Sequence, residues 1–222
     1  MMISPEGYVM EHLYNKGIDG VQKEIRSLKR RINELKRILE NPMQNDSSLS
    51  ICPSPLVQLK CSYKYLESAI DYLKEIGGEY IPSKLEQRIM SFNNNIEHIK
   101  KITFCRCGCF EIRQPVEITF DGEAVIRTEY VLDESQVREM EDYDKEGFLQ
   151  DFDRLMIGTW RRLYRPDRFG VCVLDGEDWD LKIEYDNDLK PQKYGGVNAY
   201  PYNFSELCDL LEIEKWDLFT EI

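Results

Sequence analysis

Apolar side chains recur alternately three and four positions apart in the N-terminal part of the chain. The regular set consists of Ile18, Val21, Ile25, Leu28, Ile32, Leu35 and Leu39. This is heptad spacing, and β-branched residues at one seam position with Leu mainly at the other favour two parallel helices. We therefore predict a helix over 18–39 whose apolar seam pairs with a second helix, and we expect self-association into a homodimer.

Two further segments carry the same narrow apolar stripe. One runs from Leu59 to Leu73 and stops before Gly77, and the other runs from Leu85 to Ile99. The three predicted helices can bury their stripes against each other as a bundle, or the second and third can form a hairpin while the first contacts another chain. The expected organisation is an N-terminal arm over 1–44, a Ser- and Pro-rich linker over 45–57 and a helical hairpin over 58–101.

The periodicity changes from helical to alternating after Ile102, which is typical of β-strands. Strands are predicted over 102–110, 116–120, 124–132, 171–174 and 179–185. Helices are predicted over 133–143, 145–164 and 203–211, and a loop over 190–202. The predicted fold class is α+β, with a coiled-coil-like arm or helical hairpin followed by an acidic antiparallel-sheet domain over 102–222 that has helices on one face.

Acidic residues are concentrated in the second half of the chain. The net charge is −12, and residues 104–222 hold 14 basic against 28 acidic side chains. Such a surface repels phosphate backbones and attracts basic proteins, so it argues against direct binding of nucleic acid and for a basic protein partner. A protein that handles nucleic acid is one candidate for that partner. The residues predicted to bind this partner are the acids Glu139, Glu141, Asp142, Asp144, Asp175, Glu177 and Asp178, together with Lys193, Tyr194, Asn198 and Tyr200 from a Gly-containing loop.

The sequence shows no sign of export or membrane insertion. It has no apolar run of the roughly 18 residues that a spanning helix needs. Glu6, Glu11 and His12 stand where a signal peptide would be basic and then apolar. A cytoplasmic location is therefore expected, where the seven cysteines should stay reduced.

Three cysteines fall close together at Cys105, Cys107 and Cys109. Their spacing of two places them on one face of a strand, whereas zinc sites usually take a Cys-x2-Cys turn and a second pair of ligands. We interpret them as buried strand cysteines, with metal binding as the open alternative.

An acidic cluster near the last predicted strand suggests a second kind of chemistry. Asp175, Asp178 and Asp180 are oxygen ligands that suit Mg²⁺ or Ca²⁺ and would support a metal-dependent hydrolase. A polar turn followed by the solvent face of a strand accounts for the same residues. The two histidines, His12 and His98, carry no signature of nucleophilic catalysis. We therefore expect no enzymatic activity and no cofactor.

The function predicted from these patterns is that of a non-enzymatic protein-interaction module. It would self-associate through its N-terminal helix and present the acidic α+β domain to a basic protein partner. A narrower alternative is an acidic inhibitor of the phage or mobile-element counter-defence type, which blocks the nucleic-acid channel of another protein. The metal-dependent hydrolase is the third alternative.

Overall fold

The computed structural model describes residues 3–41, 52–108, 114–131, 134–172 and 176–213. Its contacts divide the chain into two compact units, an N-terminal unit of residues Met1–Ser83 and a C-terminal unit of residues Lys84–Ile222. The apolar stripe over 85–99, which the sequence grouped with the preceding helix, therefore begins the C-terminal unit.

Three helices make up the described part of the N-terminal unit, namely α1 (Pro5–His12), α2 (Ile18–Leu39) and α3 (Pro55–Glu75). Serine and proline start α1 and α3. The Oγ atom of Ser4 accepts a hydrogen bond from the backbone N–H of Gly7 at 3.0 Å, and Ser54 caps α3 in the same way. A capping hydroxyl pairs one free N–H of the first turn, and proline removes another, so the local sequence defines where both helices begin.

The predicted heptad seam of α2 lies in the core of the N-terminal unit. Five of its seven residues are buried, namely Val21, Ile25, Leu28, Ile32 and Leu35. The first three pack with Tyr65, Ala69 and Leu73 of α3. At the ends of the seam, Ile18 is exposed and Leu39 is half-buried. Most of the seam is thus buried within one chain, which is one of the two arrangements left open by the sequence. The homodimer stays a prediction, and it is no longer needed to bury these residues.

The C-terminal unit is built on a seven-stranded sheet. Its described strands are β1 (Ile99–Cys107), β2 (Val116–Asp121), β3 (Ala124–Val131), β4 (Glu134–Asp144), β5 (Leu163–Tyr164), β6 (Asp178–Tyr185) and β7 (Gln192–Val197). Its described α-helices are α4 (Lys84–Asn93), α5 (Lys145–Arg154) and α6 (Phe204–Leu210). The strand order is β4-β3-β2-β1-β6-β7-β5, and neighbours are antiparallel except β5 and β7. The predicted α+β class is confirmed.

Helices α4, α5 and α6 contribute to one apolar core with the sheet. Phe92 of α4, Phe152 of α5 and Leu207 of α6 belong to the same buried cluster as Ile102 and Phe104 of β1. In β6 the predicted alternation is confirmed, because Trp179, Leu181, Ile183 and Tyr185 are buried between more exposed polar residues. One face of the sheet therefore carries the helices, and the other carries charged side chains.

The segment over 133–143 was predicted as a helix, and this prediction is wrong because its described residues form strand β4. Val137 and Met140 are three positions apart, which indicates a weak helical face. In the structure Thr128 of β3 lies opposite Val137, within a long antiparallel ladder. The open edge of a strand meander offers a continuous set of backbone hydrogen bonds, and this outweighs a weak local pattern.

The helix predicted over 145–164 ends ten residues early, at Arg154. Met156 has a left-handed backbone with φ of 51°, which breaks the helical hydrogen-bond ladder. A 3₁₀ turn at Ile157–Thr159 then leads into Trp160, which is fully buried. The apolar residues after Arg154 therefore reach the core from a turn and from strand β5 instead of from one helix face.

Three shorter predictions also change. The stripe over 85–99 is split, because α4 ends at Asn93 and β1 begins at Ile99, with asparagines between them that favour turns over helix. The predicted loop over 190–202 contains strand β7. Of the strand predicted over 171–174, residues 171 and 172 are not in a strand, and the other two lie outside the described residues.

Candidate functional site

A strongly acidic strand forms one edge of the sheet. Among the described strands, β4 pairs with β3 alone, and all its residues except Met140 and Tyr143 are exposed. Five of the exposed side chains are acidic, namely Glu134, Glu139, Glu141, Asp142 and Asp144. Four of these were predicted from the sequence to bind a partner, and the structure brings them together on this edge.

Part of this acidity has a structural explanation. β4 carries a bulge in which residues 140–143 lie opposite the single residue Val125 of β3. Within the bulge Met140 is buried, whereas Glu141 and Asp142 stay exposed. Bulges and charges on an edge strand protect it from pairing with other sheets. The edge is therefore a poor template for pairing with a strand of another molecule, and its charged side chains face solvent.

An open cleft of about 610 Å³ lies beside the start of α5. Its lining includes four carboxylates, from Glu97, Glu123, Glu146 and Asp153, and one ammonium group, from Lys145. Three carboxamide side chains and two apolar side chains complete it. β4 ends at Asp144 and α5 begins at Lys145, so the acidic edge strand leads directly into the wall of this acidic cleft.

Local hydrogen bonds stabilise the start of α5, which forms one wall of the cleft. Asp144 caps α5, because its Oδ1 atom accepts a hydrogen bond from the backbone N–H of Gly147 at 2.7 Å. The Nε2 atom of Gln150 donates to Oε1 of Glu146 at 3.0 Å. The protein around the Asp153 carboxyl displaces part of its water and raises its pKa above the ordinary 3.8. A positive side chain entering the cleft would replace that lost solvation.

Glu177 and Asn198, both predicted to bind a partner, instead hold the fold. Glu177 is only 8% exposed and forms an ion pair with Arg106 of β1. Its backbone N–H donates to Oδ1 of Asn198 at 2.8 Å, and Asn198 has a left-handed φ of 47°. Asparagine tolerates this conformation and bonds locally to the backbone, so the pair closes a turn.

The two predicted tyrosines also face inward. Tyr194 is buried and lies edge-on to Trp160, with 6.0 Å between ring centres. Tyr200 packs on Phe204 at 4.8 Å, and burial raises the pKa of its hydroxyl. Of the residues predicted in this loop, only Lys193 is exposed. The structure therefore does not assemble the loop residues into a surface for a partner.

Both metal hypotheses include a residue outside the described part of the chain, Cys109 in one case and Asp175 in the other. Cys105 and Cys107 are buried on β1, and Asp178 begins β6. Within the described residues, no three His, Cys, Asp or Glu side chains are placed to hold a metal ion.

The cleft was not among the sites predicted from the sequence. Its lining comes from residues 93–97, 123 and 145–153, and no motif connects these segments. The one signal available was the concentration of acids over 139–153, which continues beyond Asp144, the last of the acids predicted there.

Comparisons with known proteins found no match, whether with models of protein families, with curated proteins or with solved structures. None of the helices in the described ranges combines the length and the apolar character needed to cross a membrane.

Proposed function

We propose that this chain is a non-enzymatic protein-interaction module whose C-terminal unit binds a basic protein partner. The observation that carries the proposal is the acidic cleft, whose lining includes four carboxylates and one lysine. The proposal does not include self-association through α2, because five of the seven seam residues are already buried within one chain, three of them in a cluster with α3.

The cleft suits the side chains of lysine and arginine. Its walls offer carboxylates and carboxamide oxygens as acceptors, and guanidinium and ammonium groups donate several hydrogen bonds each. Ile96 and Leu149 also line the cleft, and apolar residues of this kind pack against the methylene stems of long basic side chains. The exposed acids of β4 extend the negative field and would speed the approach of a basic surface.

The first prediction concerns removal of charge from the cleft. In the full chain, the combined change Glu123→Gln, Glu146→Gln and Asp153→Asn should weaken binding of a fluorescent arginine-rich peptide by about tenfold. This follows from about 0.5 kcal/mol for each of three partly exposed ion pairs. Fluorescence anisotropy at fixed ionic strength measures the effect.

A matched control separates the cleft from general acidity. Glu34→Gln, Glu67→Gln and Glu75→Gln remove the same charge from exposed positions of the N-terminal unit. This control should leave the peptide affinity nearly unchanged. Equal weakening by the two triple variants would show that the peptide senses only net charge, and the proposed cleft site would then be abandoned.

The second prediction concerns pH. Because the pKa of Asp153 is raised, this carboxyl becomes protonated at a higher pH than an ordinary aspartate, and a bound cation stabilises its ionised form. Peptide affinity should therefore fall as the pH drops through that range. The Asp153→Asn variant should show a smaller fall, measured by anisotropy from neutral pH downward. Parallel pH profiles for the two proteins would contradict the role of Asp153.

A further inference from the structure

The two edges of the sheet carry opposite charge. β4 forms one edge and β5 forms the other, because among the described strands each of them pairs with one neighbour alone. β4 carries five exposed acids, whereas the segment over 161–168, which contains β5, holds four arginines and one aspartate. Arg161, Arg162 and Arg165 are exposed, and Arg168 is half-buried. A basic edge therefore lies at the far end of the sheet from the acidic strand.

Hydrogen bonds and burial fix the basic segment at this edge. The hydroxyl of Tyr164 accepts a hydrogen bond from the backbone N–H of Arg161 at 3.0 Å, and Tyr164 is only 2% exposed. The carbonyl oxygen of Arg162 accepts a hydrogen bond from the backbone N–H of Gly195 in β7, also at 3.0 Å. Leu163 lies opposite the same glycine in the strand register. The arginines therefore belong to a short strand that its tyrosine anchors to the core.

Each edge also exposes one apolar side chain beside its charges. Val137 of β4 is 63% exposed, and Leu163 of β5 is 53% exposed. Side chains alternate between the two faces of a strand, so Val137 shares a face with Glu139. Leu163 likewise shares a face with Arg165, whose backbone is extended. The two edges therefore present the same arrangement, an apolar side chain with a charged one two positions along, and the charges have opposite signs.

We infer that copies of this chain associate head to tail, with the acidic edge of one copy against the basic edge of the next. Six intervals of about 4.8 Å place the edges of the seven-stranded sheet about 29 Å apart, so the two edges of one chain do not meet. A contact between unlike surfaces leaves one edge of each kind free, so further copies can add. The acidic edge consists of Val137, Glu139 and Glu141, and the basic edge of Arg162, Leu163 and Arg165.

The simpler explanation of charged edges is protection against pairing between sheets. Such protection is complete between copies only when both edges carry the same sign, because like charges repel. In this sheet β4 repels a second β4 and β5 repels a second β5, but β4 attracts β5. Because the bulge of β4 interrupts its backbone ladder, we expect the contact to be made by side chains without extending the sheet.

The test follows the mass of the full chain by sedimentation velocity over a wide range of protein concentrations, at low and at high NaCl. The weight-average mass should rise with concentration at low salt and return to that of a single chain at high salt, because salt screens exposed charges. In high salt the edges no longer associate. A dependence of unfolding on concentration that persists there has another origin, such as the seam of α2.

Charge reversal identifies the surfaces that meet. Arg162→Glu with Arg165→Glu reverses the basic edge, and Glu139→Lys with Glu141→Lys reverses the acidic edge. Each double variant alone should associate more weakly than the unmodified chain by about tenfold or more, because like charges then face each other. An equal mixture of the two should associate again, because the native acidic edge of one variant meets the native basic edge of the other. This recovery also shows that both variants are folded.

A matched control separates the edges from net charge. Arg26→Glu with Arg30→Glu makes the same change in charge at exposed positions of the N-terminal unit, and it should leave the association unchanged. The inference would be overturned by a mass that does not change with concentration at low salt, by equal weakening in the control, or by a mixture that does not recover. Peptide binding without self-association would reject the head-to-tail contact alone and leave the proposed function standing.

Discussion

Replacing Glu177 with alanine is expected to lower the free energy of unfolding of the C-terminal unit by about 3–5 kcal/mol. The side chains of Glu177 and Arg106 are 10% and 12% exposed, and they form an ion pair. Removal of the carboxylate would leave the guanidinium desolvated and without its counter-charge. All three tryptophans lie in the C-terminal unit, so urea denaturation followed by tryptophan fluorescence measures this loss.

The double variant Arg106→Met with Glu177→Leu is the matched control. It removes both charges and keeps most of the packing volume, so it should recover most of the stability that Glu177→Ala loses. If Glu177→Ala costs less than about 1 kcal/mol, the pair behaves like a surface salt bridge. Its description as a buried structural contact would then be wrong.

Helix α2 shows where local pattern and tertiary structure agree. The apolar spacing predicts a helix over 18–39, and the structure has Ile18–Leu39. The stripe itself does not identify its partner, because pairing within the chain and pairing between chains bury the same side chains. The equivalent stripe on α3 is the partner within the chain. The length of the connection between α2 and α3 does not by itself decide whether the stripes pair within one chain or between two.

Strand β4 shows where local pattern fails. Its sequence has many acidic and few apolar residues, so neither the helical nor the alternating period is strong. The strand forms because β3 presents an unpaired edge immediately before it in the chain. This pairing depends on the strand that precedes β4, so no pattern within residues 134–144 alone predicts it.

The candidate site was predictable only in part. The excess of acids near Asp142 and Asp144 correctly indicated an exposed acidic region. Glu177 has the same residue type but is buried, because Arg106, which lies 71 positions away, becomes its partner on folding. Charge along the sequence therefore does not distinguish acids that face solvent from acids that hold the sheet together.

A substitution in the seam of α2 is expected to cause the second large loss of stability. Ile25→Ala should destabilise the N-terminal unit by about 2–5 kcal/mol, because Ile25 is almost fully buried against α3 and the substitution leaves a cavity. Far-UV circular dichroism during urea denaturation follows the loss of α2 and α3. Ile18→Ala is the matched control from the same seam, and because Ile18 is 39% exposed it should change stability by about 0.5 kcal/mol or less.

The same experiment separates packing within the chain from a dimer. If α3 covers the seam, the denaturation midpoint should not change when the protein concentration is raised about tenfold, because unfolding then involves one chain. A seam shared between two chains would raise the midpoint with concentration and would make Ile18 as sensitive as Ile25. Since Val21, Ile25 and Leu28 are buried in both arrangements, the dependence on concentration and the sensitivity of Ile18 are the measurements that distinguish them.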